Sequence, residues 1–345
     1  LHADLESQDD GEAGTFGITF SNQDRLPRLP IPKLEETATK LLQFLEALQT
    51  GPQKLHAQQQ VLEFIRRDGP ILQELLRQYE FNGTRTGTLG SYIEELWNES
   101  HLLPRSDHDD SVSPSSTAYL NNPFFLLEDS PDPEFRNHPI RRAASLTMAT
   151  LKVASTIRHE TFLPDTFKNQ HLCMDQYKAV FGAARVPQLQ GDDEIDVYPN
   201  STHVVVMCRA QFYYFQAMWP DSGVLAVDEE DLVDILTAVY NNSRQTDDAT
   251  ASSTCVGVLT TLPRHEWANV RAILSSQPEH DNQQCLTIID SALFVLVLDD
   301  HVLPKNADEA AADILHGTSK DLLEPDVHHG ETRPACPSTP IQVGS

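Results

Sequence analysis

The chain has 345 residues, of which 39% are hydrophobic and 22% charged, a balance typical of a globular protein with a sizeable core. Its 51 acidic and 25 basic residues give a formal net charge of −26, a field that repels phosphate backbones and anionic lipid and so argues against nucleic-acid or membrane-surface partners. Five widely spaced cysteines without a CxxC pair argue against a disulfide framework or a structural zinc site, and no apolar run is long enough for a transmembrane helix.

Residues 1–25 are acidic and polar, and we expect them to form a mobile tail. The segment DRLPRLPIPKLEETATKLLQFLEAL, residues 24–48, then places three prolines within six positions. Because proline fixes φ and disfavours helix at the residue before it, this spacing predicts a stiff extended strap. A helix is predicted to begin near Leu34. Its apolar residues recur at helical spacing and predict one buried stripe, formed by Leu41, Phe44, Leu45 and Leu48.

Further helical patterns follow the first helix. Two of them are separated by the breaker RRDGP at residues 66–70, and another apolar stripe lies over residues 89–97. The segment 104–119 is rich in Ser, Asp and Pro and is predicted to be a loop. We therefore predict a helical lobe, including the proline strap, over residues 26–120.

Beyond this lobe, β-branched and aromatic runs alternate with helical patterns, which predicts an α/β domain over residues 121–316. The predicted strands are residues 203–217, 255–261 and 293–300. The predicted helices are residues 139–160, 173–182, 228–242 and 265–274. Residues 317–345 lose this periodicity and gain prolines, so we predict a disordered tail there.

Several segments, in order along the chain, resemble the choline/carnitine acyltransferase family. The amino-terminal signature of that family, L-P-x-L-P-I-P-x-L followed by an acidic residue, stands here as LPRLPIPKLEE, with Ala38 in place of a larger aliphatic residue. The resemblance is collinear over about residues 26–316 and is strongest to carnitine acetyltransferases of the fungal type. Further matching segments are YIEELWNES (92–100), NNPFFLLED (121–129), RAASLTMATL (142–151), LCMDQYKAVFGAARVP (172–187), HVVVMCRAQFYYF (203–215), VLAVDEEDL (224–232), VGVLTTLPRHEWANVRAIL (256–274) and IDSALFVLVLDD (289–300).

This resemblance implies the CoA-dependent transfer of an acyl group between a thioester and the hydroxyl of carnitine, with acyl-CoA as a co-substrate and no bound cofactor or metal. It also implies two related α/β domains of the chloramphenicol-acetyltransferase type with a substrate tunnel between them. We therefore expect this chain to hold a helical amino-terminal lobe and one incomplete α/β domain of that type. In the family a histidine of an H-x-x-x-D-G motif is the general base, a role that suits imidazole because its pKa lies near neutral pH.

None of the 14 histidines of this chain stands in that motif. The nearest match, His171, has Asp175 four residues on but Gln176 after it, and we expect His171 to be a surface residue or one at the entry of a helix. The sequence thus predicts the amino-terminal portion of a truncated carnitine acyltransferase that has no catalytic residue and is inactive by itself. The alternative is a non-catalytic isoform or fragment that acts, if at all, by binding a partner. In either case the unmatched domain face is expected to self-associate.

The candidate substrate-binding residue is Trp97, because aromatic faces attract a quaternary ammonium group such as that of carnitine. The alternative is that Trp97 packs against Ile93 and Leu89 and is only structural. His101 stands where the resemblance implies a tyrosine. The resemblance implies a mitochondrial or peroxisomal location, with the cytoplasm also open. It leaves open carnitine against choline and the length of the acyl chain.

Other reactive groups in the sequence are better explained by structure. Ser145 and Cys173 lack a nucleophile motif such as G-x-S-x-G. The acidic run DEEDLVD at residues 228–234 is expected to cap a helix rather than to bind a metal.

Overall fold

The computed structural model describes residues 17–86, 91–97, 125, 127–190, 193–247, 256–277, 281–298, 306–308 and 311. The chain divides into two compact units, one formed by Pro27–Pro104 and the other by Leu1–Leu26 together with Arg105–Ser345. The sequence predicted a lobe over residues 26–120 and an α/β domain over residues 121–316. The predicted loop at 104–119 and the predicted tail at 317–345 lie outside the described residues. None of the described helices has the length and apolar character needed to cross a bilayer.

The described part of the unit Pro27–Pro104 is helical. Its described helices are α1 (Leu34–Leu48), α2 (Gly51–Arg66), α3 (Gly69–Thr86) and the short α4 (Glu94–Trp97). Helix α1 begins at the predicted residue. A capping box opens α2, in which the Thr50 main-chain N–H donates to Gln53 Oε1 at 2.9 Å. Helix α2 ends inside the predicted breaker, and Gly69 then lies so close to Leu34 that a Cβ there would be 2.7 Å from a Leu34 methyl group.

The prediction of which apolar stripe of α1 is buried is wrong. Leu41, Phe44 and Leu48 are all exposed, and only Leu45 of the predicted set is partly buried. The inner face of α1 is formed instead by Leu34, Ala38, Leu42 and Leu45. Both sets recur at helical spacing, so periodicity alone does not tell which of them faces the neighbouring helices.

The second unit is a mixed α/β structure. Its described helices are α5 (Pro133–Asn137), α6 (Pro139–Arg158), α7 (Glu229–Ser243), α8 (Arg264–Ser275) and α9 (Asn282–Asp290). Its described strands are β1 (Thr166–Phe167), β2 (Gln170–His171), β3 (Ala183–Val186), β4 (Glu194–Val197), β5 (His203–Cys208), β6 (Gln211–Gln216) and β7 (Val295–Leu298). Strands β1 and β2 form one hairpin and β3 and β4 another, whereas the main sheet has the order β6-β5-β7. Strand β5 pairs antiparallel with β6 and parallel with β7.

The main sheet is covered on both faces. Alternate residues of β5, Val204, Val206 and Cys208, join a buried cluster with Leu151 of α6 and Leu232 of α7. The residues between them, Val205 and Met207, are also buried. A parallel pair with helices on both faces requires apolar residues at successive positions, which explains the unbroken run in β5.

Three predicted elements in this unit take another form. The predicted strand 203–217 is a hairpin, because Arg209 and Ala210 adopt left-handed φ angles of 48° and 65° and turn the chain between β5 and β6. The predicted strand 255–261 is a 3-10 helix, Val256–Thr261, in which a Cβ at Gly257 would lie 3.8 Å from Met207 Sδ. The predicted helix 173–182 is reduced to a 3-10 turn over Asp175–Ala179.

The longer helical patterns are confirmed. Helices α6, α7 and α8 fall within one or two residues of their predicted bounds. The acidic run at the start of α7 caps the helix, as predicted, since Asp228 Oδ1 accepts the Asp231 main-chain N–H at 2.9 Å. Carboxylates in a first helical turn also offset the positive end of the helix dipole.

Residues 17–25, which the sequence assigned to a mobile tail, lie against the end of α6 and the segment after β2. Thr19 is fully buried, and its hydroxyl donates to the Phe162 carbonyl at 2.7 Å. The Gln23 side chain accepts the Met174 main-chain N–H at 2.8 Å and donates to Cys173 Sγ at 3.3 Å. These contacts tie the segment before the proline strap to the α/β unit.

Gly182 is a position where only glycine fits. Its φ is +65°, and a Cβ would lie 2.6 Å from the Tyr198 carbonyl oxygen, which belongs to the backbone and cannot rotate away. We expect Gly182→Ala to lower the free energy of unfolding by about 2–4 kcal/mol, since a left-handed residue and a backbone clash are both introduced. Urea denaturation followed by circular dichroism measures the change. Gly51→Ala is the control, because nothing lies within 4 Å of a Cβ there, and equal losses in both variants would contradict the prediction.

Candidate functional site

The predicted substrate-binding residue, Trp97, ends the short helix α4. Its main-chain N–H donates to the Ile93 carbonyl at 2.7 Å, and the neighbouring Glu95 carboxylate accepts the Tyr79 hydroxyl. The Trp97 side chain is 52% exposed, and Ile93 is also exposed. Leu89, against which Trp97 would pack under the structural alternative, and His101 lie outside the described residues. The geometry therefore gives a half-exposed indole in the helical unit.

Two of the described histidines of the α/β unit, His203 and His159, have ring nitrogens within hydrogen-bond distance of backbone carbonyls. His203 Nε2 lies 2.7 Å from the Ile288 carbonyl oxygen. The two ring nitrogens of His159 lie 2.7 Å and 2.8 Å from the carbonyl oxygens of Ser155 and Ser222. His171 is exposed on the β1–β2 hairpin, as predicted. The carbonyl contacts hold the His159 and His203 rings in place. His159 Nδ1 also lies 3.3 Å from the hydroxyl of Ser155, four residues earlier in the chain.

A charged cluster that sequence analysis missed lies beside the β3–β4 hairpin. Arg264, the first residue of α8, donates from Nε to Asp193 Oδ2 at 2.7 Å, and the side chains are 14% and 3% exposed. Arg185 of β3 lies near this pair, and its buried Nη1 has no hydrogen-bond partner. Burial lowers the pKa of the Arg185 guanidinium, and Arg264 lowers it further, whereas Asp193 raises it. Two partly buried guanidinium groups thus lie near one buried carboxylate.

A second ion pair lies two turns further along α8. The Arg271 guanidinium donates through both terminal nitrogens to the Asp290 carboxylate at the end of α9. The Tyr198 hydroxyl donates to Asp196 Oδ2 at 3.4 Å. Burial raises the pKa of Tyr198, and the charges of Asp196 and Asp290 raise it further. The pair joins α8 to α9, with Tyr198 and Asp196 of the β3–β4 hairpin close by.

The chemistry open to these groups is limited. Neither ion pair contains a nucleophile beside a base, so the arrangement does not provide acyl transfer. No group of three or more potential metal ligands occurs among the described residues. The two ion pairs are best explained as partly buried contacts that attach α8 to its neighbours.

No local pattern in the sequence predicts these two ion pairs. Arg264 and Asp193 are 71 residues apart, and each stands in an unremarkable polar context. The signal that could have found them is the placement of charges directly beside apolar segments, as in AARVP (183–187) and LPRHEW (262–267). That signal names candidates but does not pair them.

The Asp290 carboxyl gives the structure a pH dependence of known sign. Burial raises its pKa above the ordinary value and outweighs Arg271, which lowers it, while Asp196 adds to the increase. A carboxyl with a higher pKa in the folded state binds its proton more tightly there, so its contribution to stability is complete below the unfolded pKa and is lost as the pH rises through the folded pKa.

We therefore compare wild type with Asp290→Asn, in which this position cannot titrate. The difference in the free energy of unfolding, wild type minus variant, is expected to fall as the pH rises from about 4 to about 7. Urea denaturation at several pH values measures it. A difference that rises over this range would show that the Arg271 contact dominates instead.

Comparison with known proteins identifies the family, which the geometry of the described residues does not. The sequence profile of the Choline/Carnitine o-acyltransferase family matches residues 29–331. The chain belongs to this family. The match includes the described helices of the Pro27–Pro104 unit as well as the described elements of the α/β unit, so both units are part of what the family shares.

Individual relatives agree with this assignment. The chain is 34% identical over 323 residues to a putative mitochondrial carnitine O-acetyltransferase of Saccharomyces cerevisiae, covering 88% of this chain and 45% of the relative. It is 26% identical over 305 residues to carnitine O-acetyltransferase of Rattus norvegicus, covering 86% and 45%. It is 28% identical over 331 residues to mitochondrial carnitine O-palmitoyltransferase 2 of Homo sapiens, covering 87% and 46%. The chain therefore spans less than half the length of these relatives.

Proposed function

We propose that this chain is the amino-terminal portion of a carnitine O-acyltransferase that transfers an acyl group between acyl-CoA and the hydroxyl of carnitine. The observation that carries the proposal is the family match over residues 29–331, together with relatives named for carnitine acyl transfer. The α/β unit, with its helix-covered sheet β6-β5-β7, is proposed to be an incomplete domain of the chloramphenicol-acetyltransferase type. The relatives named as mitochondrial support a mitochondrial location.

The reaction explains why the chain by itself is proposed to be inactive. The carnitine oxygen attacks the thioester carbonyl, a C–O bond forms, the C–S bond breaks, and the hydroxyl proton passes by way of a base to the departing thiolate. The base requires an imidazole placed within hydrogen-bond reach of that proton. None of the 14 histidines carries the motif that the family resemblance assigns to this base. The described rings of His159 and His203 are already held by main-chain carbonyls.

Trp97 is proposed to contribute to the site for the trimethylammonium group. Its half-exposed indole can offer a ring face to a cation, an interaction of about 0.5–2 kcal/mol depending on how dry the site is. A non-catalytic role by partner binding is the second candidate, and it is favoured by the large apolar side chains exposed on the helical unit.

The proposal is tested by supplying the missing part. The purified chain, given acetyl-CoA and carnitine, is expected to show no CoA release above the uncatalysed rate. Adding the portion of the yeast putative mitochondrial carnitine O-acetyltransferase that lies beyond its match to this chain is expected to give a complex with measurable acetyl transfer. Turnover by the chain alone, or a stable complex without any turnover, would overturn the proposal.

The same assay tests Trp97. In the active complex, Trp97→Leu is expected to raise KM for carnitine by about tenfold and to leave kcat nearly unchanged, because a ground-state cation contact of about 1.4 kcal/mol is removed. Trp219→Leu is the matched control, since Trp219 is similarly exposed but lies in the other unit. Equal effects of the two substitutions would assign Trp97 no role in binding.

A further inference from the structure

Residues 17–25, which we call the latch, are the part of the α/β unit that comes directly before the helical unit in the chain. The α/β unit contains Leu1–Leu26 and Arg105–Ser345, so the chain leaves it after Leu26 and re-enters it at Arg105. The helical unit is thus an insertion with two covalent connections to the α/β unit. Because the latch lies directly before the first connection, its contacts decide whether that connection is fixed.

Glu160, just after the end of α6, receives the first half of the latch. Its φ of 54° is left-handed, which is uncommon for a residue other than glycine. The Glu160 carbonyl accepts the Thr19 main-chain N–H at 3.2 Å, and the Glu160 carboxylate accepts the Gly17 main-chain N–H at 2.7 Å. A Cβ at Gly17 would lie 2.0 Å from Glu160 Cβ, so this close approach requires glycine at position 17.

The second half of the latch is held by the side chain of Gln23. Its amide oxygen accepts the Met174 main-chain N–H at 2.8 Å, and its amide nitrogen donates to Cys173 Sγ at 3.3 Å. The Lys178 ammonium group also lies 5.5 Å from the centre of the Phe20 ring. The two Gln23 contacts join residues 151 and 150 positions apart, so tertiary contacts hold this half of the latch in place.

The latch is held mainly by hydrogen bonds. Thr19 is its one fully buried side chain, whereas Ile18 is 50% exposed. Hydrogen bonds that water can replace contribute little net free energy, and closing a long loop costs chain entropy. The cluster between α6, α7 and β5, in contrast, is made of buried apolar side chains. We therefore expect the latch to open at a lower free energy than that at which the core unfolds.

We propose that the latch opens and closes as one unit while the rest of the α/β unit stays folded. When the latch is closed, the first connection to the helical unit is fixed on the α/β unit, and the strap that follows it is stiffened by Pro27, Pro30 and Pro32. When the latch is open, the strap begins from a free segment and only the second connection remains. The latch is then a conformational switch at the entry to the helical unit, and it does not depend on acyl transfer.

Hydrogen exchange of the 345-residue chain, followed by mass spectrometry, tests this switch by the effect of one half of the latch on the other. Gly17→Ala breaks the contact with Glu160 and leaves Gln23 and Met174 untouched. If the latch opens as one unit, exchange in residues 172–176 is expected to become about tenfold faster in this variant, because the open population rises. Exchange in residues 203–216, which form β5 and β6, is expected to stay unchanged.

A second variant tests the reverse direction. Gln23→Ala removes the contacts of the second half, and it is expected to make exchange in residues 17–21 about tenfold faster as well. Asp24→Asn is the matched control, because Asp24 is an exposed residue of the same segment, and it is expected to exchange as wild type does. Faster exchange confined to the substituted half, or an equal effect of Asp24→Asn, overturns the inference. Exchange of the latch only together with residues 203–216 also overturns it, since the latch would then open only when the whole unit unfolds.

Discussion

Replacing Asp193 with asparagine is expected to lower the free energy of unfolding by about 3–5 kcal/mol, a third or more of the total for a typical domain. Asp193 is 3% exposed and accepts Arg264 Nε at 2.7 Å, while Arg185 lies close by with a buried Nη1 that has no partner. Without the carboxylate, two guanidinium groups would share a desolvated region with no counter-charge. Urea denaturation at neutral pH, followed by circular dichroism, measures the loss.

An exposed pair provides the control for Asp193. Glu63 accepts Arg67 Nη1 at 2.9 Å, but both side chains are more than 60% exposed. The substitution Glu63→Gln removes the same kind of contact and is expected to cost less than about 1 kcal/mol, since water screens the charges. Similar losses for Asp193→Asn and Glu63→Gln would show that the Asp193 site is solvated.

The role of the second cation can be separated by a double-mutant cycle. Arg185→Met removes one of the two partly buried cations and keeps most of the side-chain volume. In the Asp193→Asn background this substitution is expected to recover about 1–2 kcal/mol, because only one guanidinium is then left without a counter-charge. In the wild-type background the same change is expected to be nearly neutral, since Arg185 Nη1 makes no hydrogen bond to lose. A larger loss of stability from Arg185→Met in the wild-type background would show that Arg185 is stabilised by a contact of its own.

Truncating Leu151 to alanine is the second substitution with a large expected effect. Leu151 is fully buried in the cluster between α6, α7 and strand β5, where it packs with Leu232 and Val204. The cavity left by the missing atoms adds to the lost burial of apolar surface, so the cost is expected to be about 3–5 kcal/mol. The midpoint of urea denaturation should fall while the slope with denaturant stays unchanged.

The control for this core substitution lies on the other side of the same helix. Val153 of α6 is 40% exposed, and Val153→Ala removes two methyl groups from a position in contact with water. We expect a change of less than about 0.5 kcal/mol, because the gain in helix propensity offsets the small loss of burial. A large effect at Val153 would mean that this face of α6 is covered by a partner in solution.

Sequence patterns predicted the long helices of this protein well because each pattern is repeated over many turns. Helices α6, α7 and α8 show the apolar period over three turns or more, and the Asp228 cap marks the start of α7. The short apolar run at 255–261 was predicted as a strand, whereas its described part, Val256–Thr261, forms a 3-10 helix. A run of that length is compatible with either a strand or a helical turn. The choice depends on the surface it packs against, which here includes Met207 of β5.

Family membership was also accessible from sequence, because it depends on the order and identity of many segments rather than on any single contact. The residues of the candidate site were harder to predict from sequence. Trp97 could be nominated from the preference of aromatic rings for quaternary ammonium, whereas the pairing of Asp193 with Arg264 brings together residues 71 positions apart. Long-range pairs of this kind leave no periodic signal, so residue types alone do not reveal them.

Spacing and residue type along the chain were enough to recognise the choline/carnitine acyltransferase family and to predict the long helices, and none of the 14 histidines of this chain stands in an H-x-x-x-D-G motif. Tertiary structure alone decided which of the two apolar stripes of α1 faces inward, with Leu42 partly buried and Phe44 exposed. The physical reason is that a helix has the same period on every face. The choice between two apolar faces is made by the surfaces that pack against them, which one helix cannot specify alone.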